Sequence, residues 1–154
     1  MVGSNIVLTF SEAIARGTGN ITLRSGSATG TVVESFDAAT SNRLTLSGST
    51  LTINPTSDLA YGTTYFVVFT SGNIRDTAGN AYAGISTYDF VSDDFSDTTG
   101  STGQVSVGGV ASTGAIGTSG DTDVFKVTLT AGVTYTFDLK AASGSLNPYL
   151  SLFD

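Results

Sequence analysis

The chain has 154 residues, room for one β domain or two small ones. It holds no cysteine and no histidine, which removes thiol nucleophiles, disulfides, Cys/His zinc centres and every triad or acid–base scheme built on imidazole. Six basic residues against 13 acidic give a net charge of −7 and a pI near 4.1. Such a surface repels nucleic-acid backbones and anionic membranes, and no apolar run approaches a membrane span.

Nineteen glycines among many Thr, Ser and Val predict a turn-rich β protein. Ile6, Leu8 and Phe10 alternate with Val7 and Thr9, predicting a strand with one apolar face, and Ser11-Glu12-Ala13-Ile14 breaks the period. Asn20–Arg24 and Thr31–Phe36 are further strands. Leu44–Leu46 and Leu51–Ile53 are short strands separated by Ser47-Gly48-Ser49, and Asn54-Pro55 ends the second. Leu59–Tyr61 reads as a single turn. Thr64–Phe69 (TYFVVF) is apolar on both faces, as a central sandwich strand can be. Ala83–Val91 supplies the last strand of a first unit, with Tyr88 and Phe90 in phase. No helix of normal length is predicted. Short, evenly spaced strands with Gly/Asn/Asp turns point to an all-β antiparallel sandwich.

Residues 92–103, SDDFSDTTGSTG, read as a linker or the start of a second domain. A second β pattern comes after it at Gln104–Val107, Val124–Leu129, Val133–Leu139 and Tyr149–Phe153. Leu59–Phe66 (LAYGTTYF) is echoed by Leu129–Thr136 (LTAGVTYT), a glycine turn feeding a strand that opens with Thr-Tyr, its Tyr expected at the sheet edge. Nothing repeats three times, so a solenoid is not indicated.

Taken in order, Ile6–Ile14 (IVLTFSEAI), Leu51–Pro55 (LTINP), Leu59–Tyr65 (LAYGTTY), Ile74–Asn80 (IRDTAGN) and Tyr88-Asp89-Phe90 resemble the bacterial Ig-like domain of the S-layer (SbsA) type over about residues 3–92. That family opens with one more strand, of which only Met1–Ser4 would remain. Residues 93–154 resemble the first half to two-thirds of the bacterial pre-peptidase C-terminal domain. The matching parts are Asp93-Asp94-Phe95, Gly120–Phe125 (GDTDVF), Val127–Leu139 and Leu146–Asp154 (LNPYLSLFD). The resemblances imply two domains, 1–92 an Ig-like sandwich and 93–154 a partial β-sandwich or jelly-roll-like unit. They imply an accessory module of an exported protein whose signal lies outside these residues, and some relatives of the second domain bind calcium or polymers.

Asp121 and Asp123 are spaced to share one face of a strand. With Asp93, Asp94 and Asp97, and Asn147 as a companion, they form a candidate calcium site, since calcium takes six to eight oxygen ligands. The competing reading makes Asp121 a turn cap after Gly120 and Asp93-Asp94-Asp97 a solvated acidic linker. A catalytic carboxylate dyad needs burial in a cleft, and this stretch reads as an exposed rim; an EF-hand loop is not present. Asp76 and Asn80 in RDTAGNAYAG read as a turn around Gly79, with Arg75 paired to Asp76 or Glu12. Glu12 and Glu34, the only glutamates, are not placed as a glycosidase pair. A serine nucleophile lacks a base and an elbow motif. Among the aromatics Tyr61, Tyr65, Phe66, Phe69, Tyr82 and Tyr88, Tyr82 is the best candidate for an exposed polymer-stacking ring.

The reading is therefore a non-catalytic extracellular or cell-surface spacer, with calcium-dependent or polymer-binding adhesion as the alternative. Its expected partners are neighbouring domains, a chain that completes the second unit by strand addition around Val127, Leu129, Tyr135, Phe137, Leu150 and Leu152, and an extracellular polymer. Nucleic acid and membrane insertion are not expected.

Overall fold

The computed structural model describes residues 5–117, 121–142 and 149–152. The expectations placed on Met1–Ser4, Gly120, Leu146–Pro148 and Phe153–Asp154 lie outside the described residues. The elements are β1 (Ile6–Thr9), β2 (Ile14–Arg16), β3 (Asn20–Ser25), β4 (Thr31–Asp37), β5 (Leu44–Ser47), β6 (Thr50–Ile53), β7 (Thr64–Phe69), β8 (Ile74–Asp76), β9 (Ile85–Val91), β10 (Gly103–Val105) and β11 (Phe125–Val127). No helix occurs among the described residues.

Two antiparallel sheets make the main body. One has strand order β1-β6-β5 and the other β4-β3-β7-β9. Period-two alternation decides which face each strand buries. In β1, Ile6 and Leu8 point inward while Val7 and Thr9 face solvent. Register places Ile6 opposite Ile53 and Leu8 opposite Leu51, and Leu44 and Leu46 meet the same two residues from the other side. Apolar side chains thus stand in rows across the sheet. The second sheet answers with Ile21, Leu23, Phe36, Tyr65, Val67 and Phe69, and these pack with the first set into one buried core.

β7 is the central strand expected from TYFVVF, flanked by β3 and β9. It buries Tyr65, Val67 and Phe69 on one face and half-buries Thr64, Phe66 and Val68 on the other. The expectation that Tyr65 packs at a sheet edge is corrected. Its ring is buried and stacks on Phe90 at 5.7 Å, and its hydroxyl accepts the Ala60 N–H at 2.9 Å. The bond ties β7 back to the turn that precedes it, while the buried ring places the strand at the centre of its sheet.

The small β2–β8 pair closes one end of the sandwich. Asn73 is fully buried there. Its side-chain oxygen accepts from the Thr70 N–H and hydroxyl, and its amide donates to the Thr18 carbonyl at 2.7 Å. Gly17 sits so close that a Cβ would fall on the Gly72 carbonyl oxygen, and it donates its N–H to the Asn73 carbonyl at 3.0 Å.

Residues 92–103 are only partly solvated, with Asp97–Gly100 and Thr102 exposed. Ser92, Ser101 and Gly103 are buried, and Phe95 packs on Phe125 with ring centroids 4.7 Å apart. A Cβ at Gly103 would stand 2.8 Å from the Phe125 ring, so glycine there lets β10 approach β11. That pair is parallel, with Gly103 opposite Phe125 and Val105 opposite Val127. The predicted strands at Val133–Leu139 and Tyr149–Leu152 join no ladder among the described residues.

Candidate metal centre

The acidic residues gather where β9 leaves the sandwich. Ser92 fixes that exit: its hydroxyl donates to the Ala60 carbonyl at 2.6 Å and accepts the Thr63 N–H at 3.0 Å, and its own N–H donates to the Thr63 carbonyl at 3.0 Å. One residue on, the Asp93 carbonyl accepts the Gly62 N–H at 2.6 Å. The turn before β7 therefore holds the chain that presents Asp93 and Asp94. From the other side, Phe125 packing on Phe95 and the Val124 N–H donating to the Ser96 carbonyl at 3.3 Å bring Asp121 and Asp123 alongside.

All five aspartates singled out in the sequence converge. Asp93, Asp97 and Asp121 each offer one carboxylate oxygen within 4.8 Å of the others, and so do Asp93, Asp94 and Asp123. The two triads share Asp93. A shared strand face is not what brings Asp121 and Asp123 together, and that expectation is corrected: residues 121–124 are not strand, and the two aspartates enter different triads. Nor is this an exposed rim. Four of the five residues are half-buried and only Asp97 is exposed.

Residues that sequence reasoning missed close the cluster. Loop 114–117 lies over it, the Ala115 N–H donating to Asp94 Oδ2 at 2.9 Å and the Gly117 N–H to Asp121 Oδ2. A Cβ at Gly114 would fall on Asp123 Oδ2. The glycine spacing in this loop is the one available signal, and it does not say which carboxylate the backbone approaches. The turn-cap reading of Asp121 holds in part, because its carboxylate does bond a nearby backbone N–H.

Electrostatically the site is strained. Asp94 Oδ1 and Asp123 Oδ1 are buried and accept no hydrogen bond. Burial, and then the charges of Asp94, Asp121, Asp93 and Asp97, push the Asp123 carboxyl up to about 6 from an ordinary 3.8. Two causes that both disfavour the anion act together there. A carboxyl raised in the folded state stays protonated after its unfolded counterpart has ionised, so the cation-free protein loses stability as pH rises from about 3.8 to about 6. In chelator, hydrogen exchange at residues 92–127, corrected for intrinsic rate, should be slower at pH 5 than at pH 7. A flat or opposite trend would place the Asp123 carboxyl in its ordinary range.

The donor set fits a hard divalent cation. Calcium holds oxygens at about 2.3–2.6 Å, so ligands on opposite sides lie roughly 5 Å apart, and flexible all-oxygen shells suit it. Within each triad the carboxylate oxygens lie close enough together for one ion to reach all three. Backbone N–H groups already orient Asp94 and Asp121, leaving their remaining lone pairs for an ion.

The other candidate residues have structural employment. Asp76 accepts from the Asn80 side chain at 2.6 Å and backbone at 2.7 Å, bonds that hold its carboxyl below the usual range; Gly79 supplies the expected positive φ of 94°. Arg75 donates to the Gly79 carbonyl at 3.0 Å, not to Asp76 or Glu12. Glu34 is bound to Thr56, whose N–H and hydroxyl donate to it at 2.9 and 2.6 Å. Tyr82 is not a free platform. It is half-buried in a three-ring cluster with Phe10 and Phe69, each pair edge to face at 5.4–6.4 Å.

Fold and site together define an all-β sandwich module whose chain exit passes through a carboxylate cluster. The chain belongs to the bacterial Ig-like domain family, whose model matches residues 1–92. Domains of this family are typical accessory modules of bacterial surface and extracellular proteins and are generally non-catalytic. No curated protein and no solved structure matches the chain.

Proposed function

We propose that the chain is a non-catalytic spacer of a larger secreted or cell-surface bacterial protein, and that Asp93, Asp94, Asp97, Asp121 and Asp123 bind calcium to stiffen the junction after its first domain. The observation that carries this reading is the convergence of two acidic triads at the sandwich exit, with the buried Asp94 and Asp123 oxygens accepting no hydrogen bond. A cation between the triads would neutralise the repulsion felt by Asp123 and tie the Gly62 turn, the β9 exit and the segment preceding β11 into one unit. The S-layer type for residues 1–92 and the pre-peptidase C-terminal type for 93–154 fit this reading, as does a spacer's position among neighbouring domains.

Calorimetric titration of the full chain with calcium chloride at pH 7.5 tests it. Saturable binding is expected, weakened when Asp93 is changed to asparagine, with magnesium a poorer ligand because it demands tighter octahedral geometry. No heat and no chelator-sensitive change in melting would leave the aspartates as turn residues and sink the calcium reading. Adhesion to a polymer is the lesser reading, because the ring singled out in the sequence for stacking, Tyr82, is engaged by Phe10 and Phe69.

A further inference from the structure

The sequence echo is also a structural one. Leu59–Tyr65 and Leu129–Tyr135 share the spacing Leu-x-x-Gly-x-Thr-Tyr. In the first, Gly62 has φ 59° and the Tyr65 hydroxyl accepts the Ala60 N–H at 2.9 Å. In the second, Gly132 has φ 78° and the Tyr135 hydroxyl accepts the Thr130 N–H at 2.9 Å. The same residues build the same corner twice. Past the corner the two copies differ. β7 runs on from the first between two antiparallel neighbours, and Leu59 and Tyr65 are buried. After the second corner no strand pairs with Val133–Leu139 among the described residues, and Leu129, Val133 and Leu139 stand 44–54% exposed.

We propose that Val133–Leu139 is an open strand that pairs antiparallel with the same strand of a second copy of this chain, about a two-fold axis at Thr136. The segment is self-complementary in that register. Val133 meets Leu139 and Tyr135 meets Phe137, so all four apolar residues pair on one face, where cross-strand contacts stabilise a sheet. A slip of two residues in either direction lowers the number of such pairs, and a slip of one puts apolar residues opposite polar ones. Asp138 meets Thr134 rather than another acid, and its charge is already matched by Lys140 at 2.9 Å. An unpaired segment with alternating apolar residues and no proline is the kind that recruits another strand, and an isologous pair closes without growing into a fibre.

The chain's lack of cysteine allows a direct test. On the axis, Thr136 lies opposite its own copy, at the Cα separation of directly paired antiparallel residues, which a disulfide can span. Full-length Thr136→Cys should form a covalent dimer rapidly under mild oxidation, Thr134→Cys should do so far more slowly, and the unmodified chain should sediment with a concentration-dependent mass approaching twice 15.7 kDa. A monomer at every concentration up to about 1 mM, or equal cross-linking of the two variants, would overturn the proposal and leave another strand as the occupant. The calcium reading is untouched by either result.

Discussion

Replacing Asn73 with alanine is expected to lower the stability of the sandwich by about 2–4 kcal/mol, among the larger effects of a single polar substitution in this chain. The side chain is fully buried and works in both directions, accepting from Thr70 at 2.6 Å and donating to Thr18 at 2.7 Å. Alanine fills part of the volume and none of the hydrogen-bonding demand, and each buried donor or acceptor left unmet costs about 1–3 kcal/mol. Part of that is recovered because Thr18 and Thr70 reach solvent on their outer sides. The bonds span the junction between β2–β3 and β7–β8, so loosening should begin there. Urea denaturation followed by intrinsic fluorescence checks the magnitude. A change below about 0.5 kcal/mol would mean that water replaces the side chain at no cost.

Asp123→Asn is expected to act with opposite signs in the two conditions. In chelator the variant should melt higher than the parent, because it removes the carboxylate that burial and four like charges oppose. With calcium at about one hundred times its dissociation constant, the parent gains roughly 2.7 kcal/mol by mass action. The variant, with a neutral ligand and one charge fewer, gains less, and the order of melting temperatures reverses by several degrees. Paired melting curves at pH 7.5 decide it. A variant that melts lower than the parent in both conditions would show Asp123 to be a structural acceptor rather than a ligand.

Much of the sandwich is legible in the sequence because its signals are local. Ile6/Leu8, Ile21/Leu23 and Tyr65/Val67/Phe69 declare their inward faces by alternation, and Gly79 declares its turn. The cluster is legible as composition but not as geometry. Asp121 and Asp123 suggest a shared strand face, yet they meet Asp93, Asp94 and Asp97 through a Phe95–Phe125 contact and a parallel β10–β11 pairing that no short window contains. Long-range side-chain bonds escape for the same reason. Arg16 donates to the Ala38 and Ser41 carbonyls, 22 and 25 residues away, and no spacing rule announces it. The glycine turn and Thr-Tyr opening before β7 do not say how deep Tyr65 sits; the place of β7 between β3 and β9 and the burial of the ring do.

The fastening of Ser92 and Asp93 to the turn at 60–63 bears on mechanics. β9 is an outer strand of its sheet, held laterally by β7 alone, and a pull on the chain beyond it would unzip those rungs singly, each failing at low force. The bonds from Ala60, Gly62 and Thr63 meet the tension first and share it, so the last rung, Thr64 opposite Val91, is shielded until several of them break together.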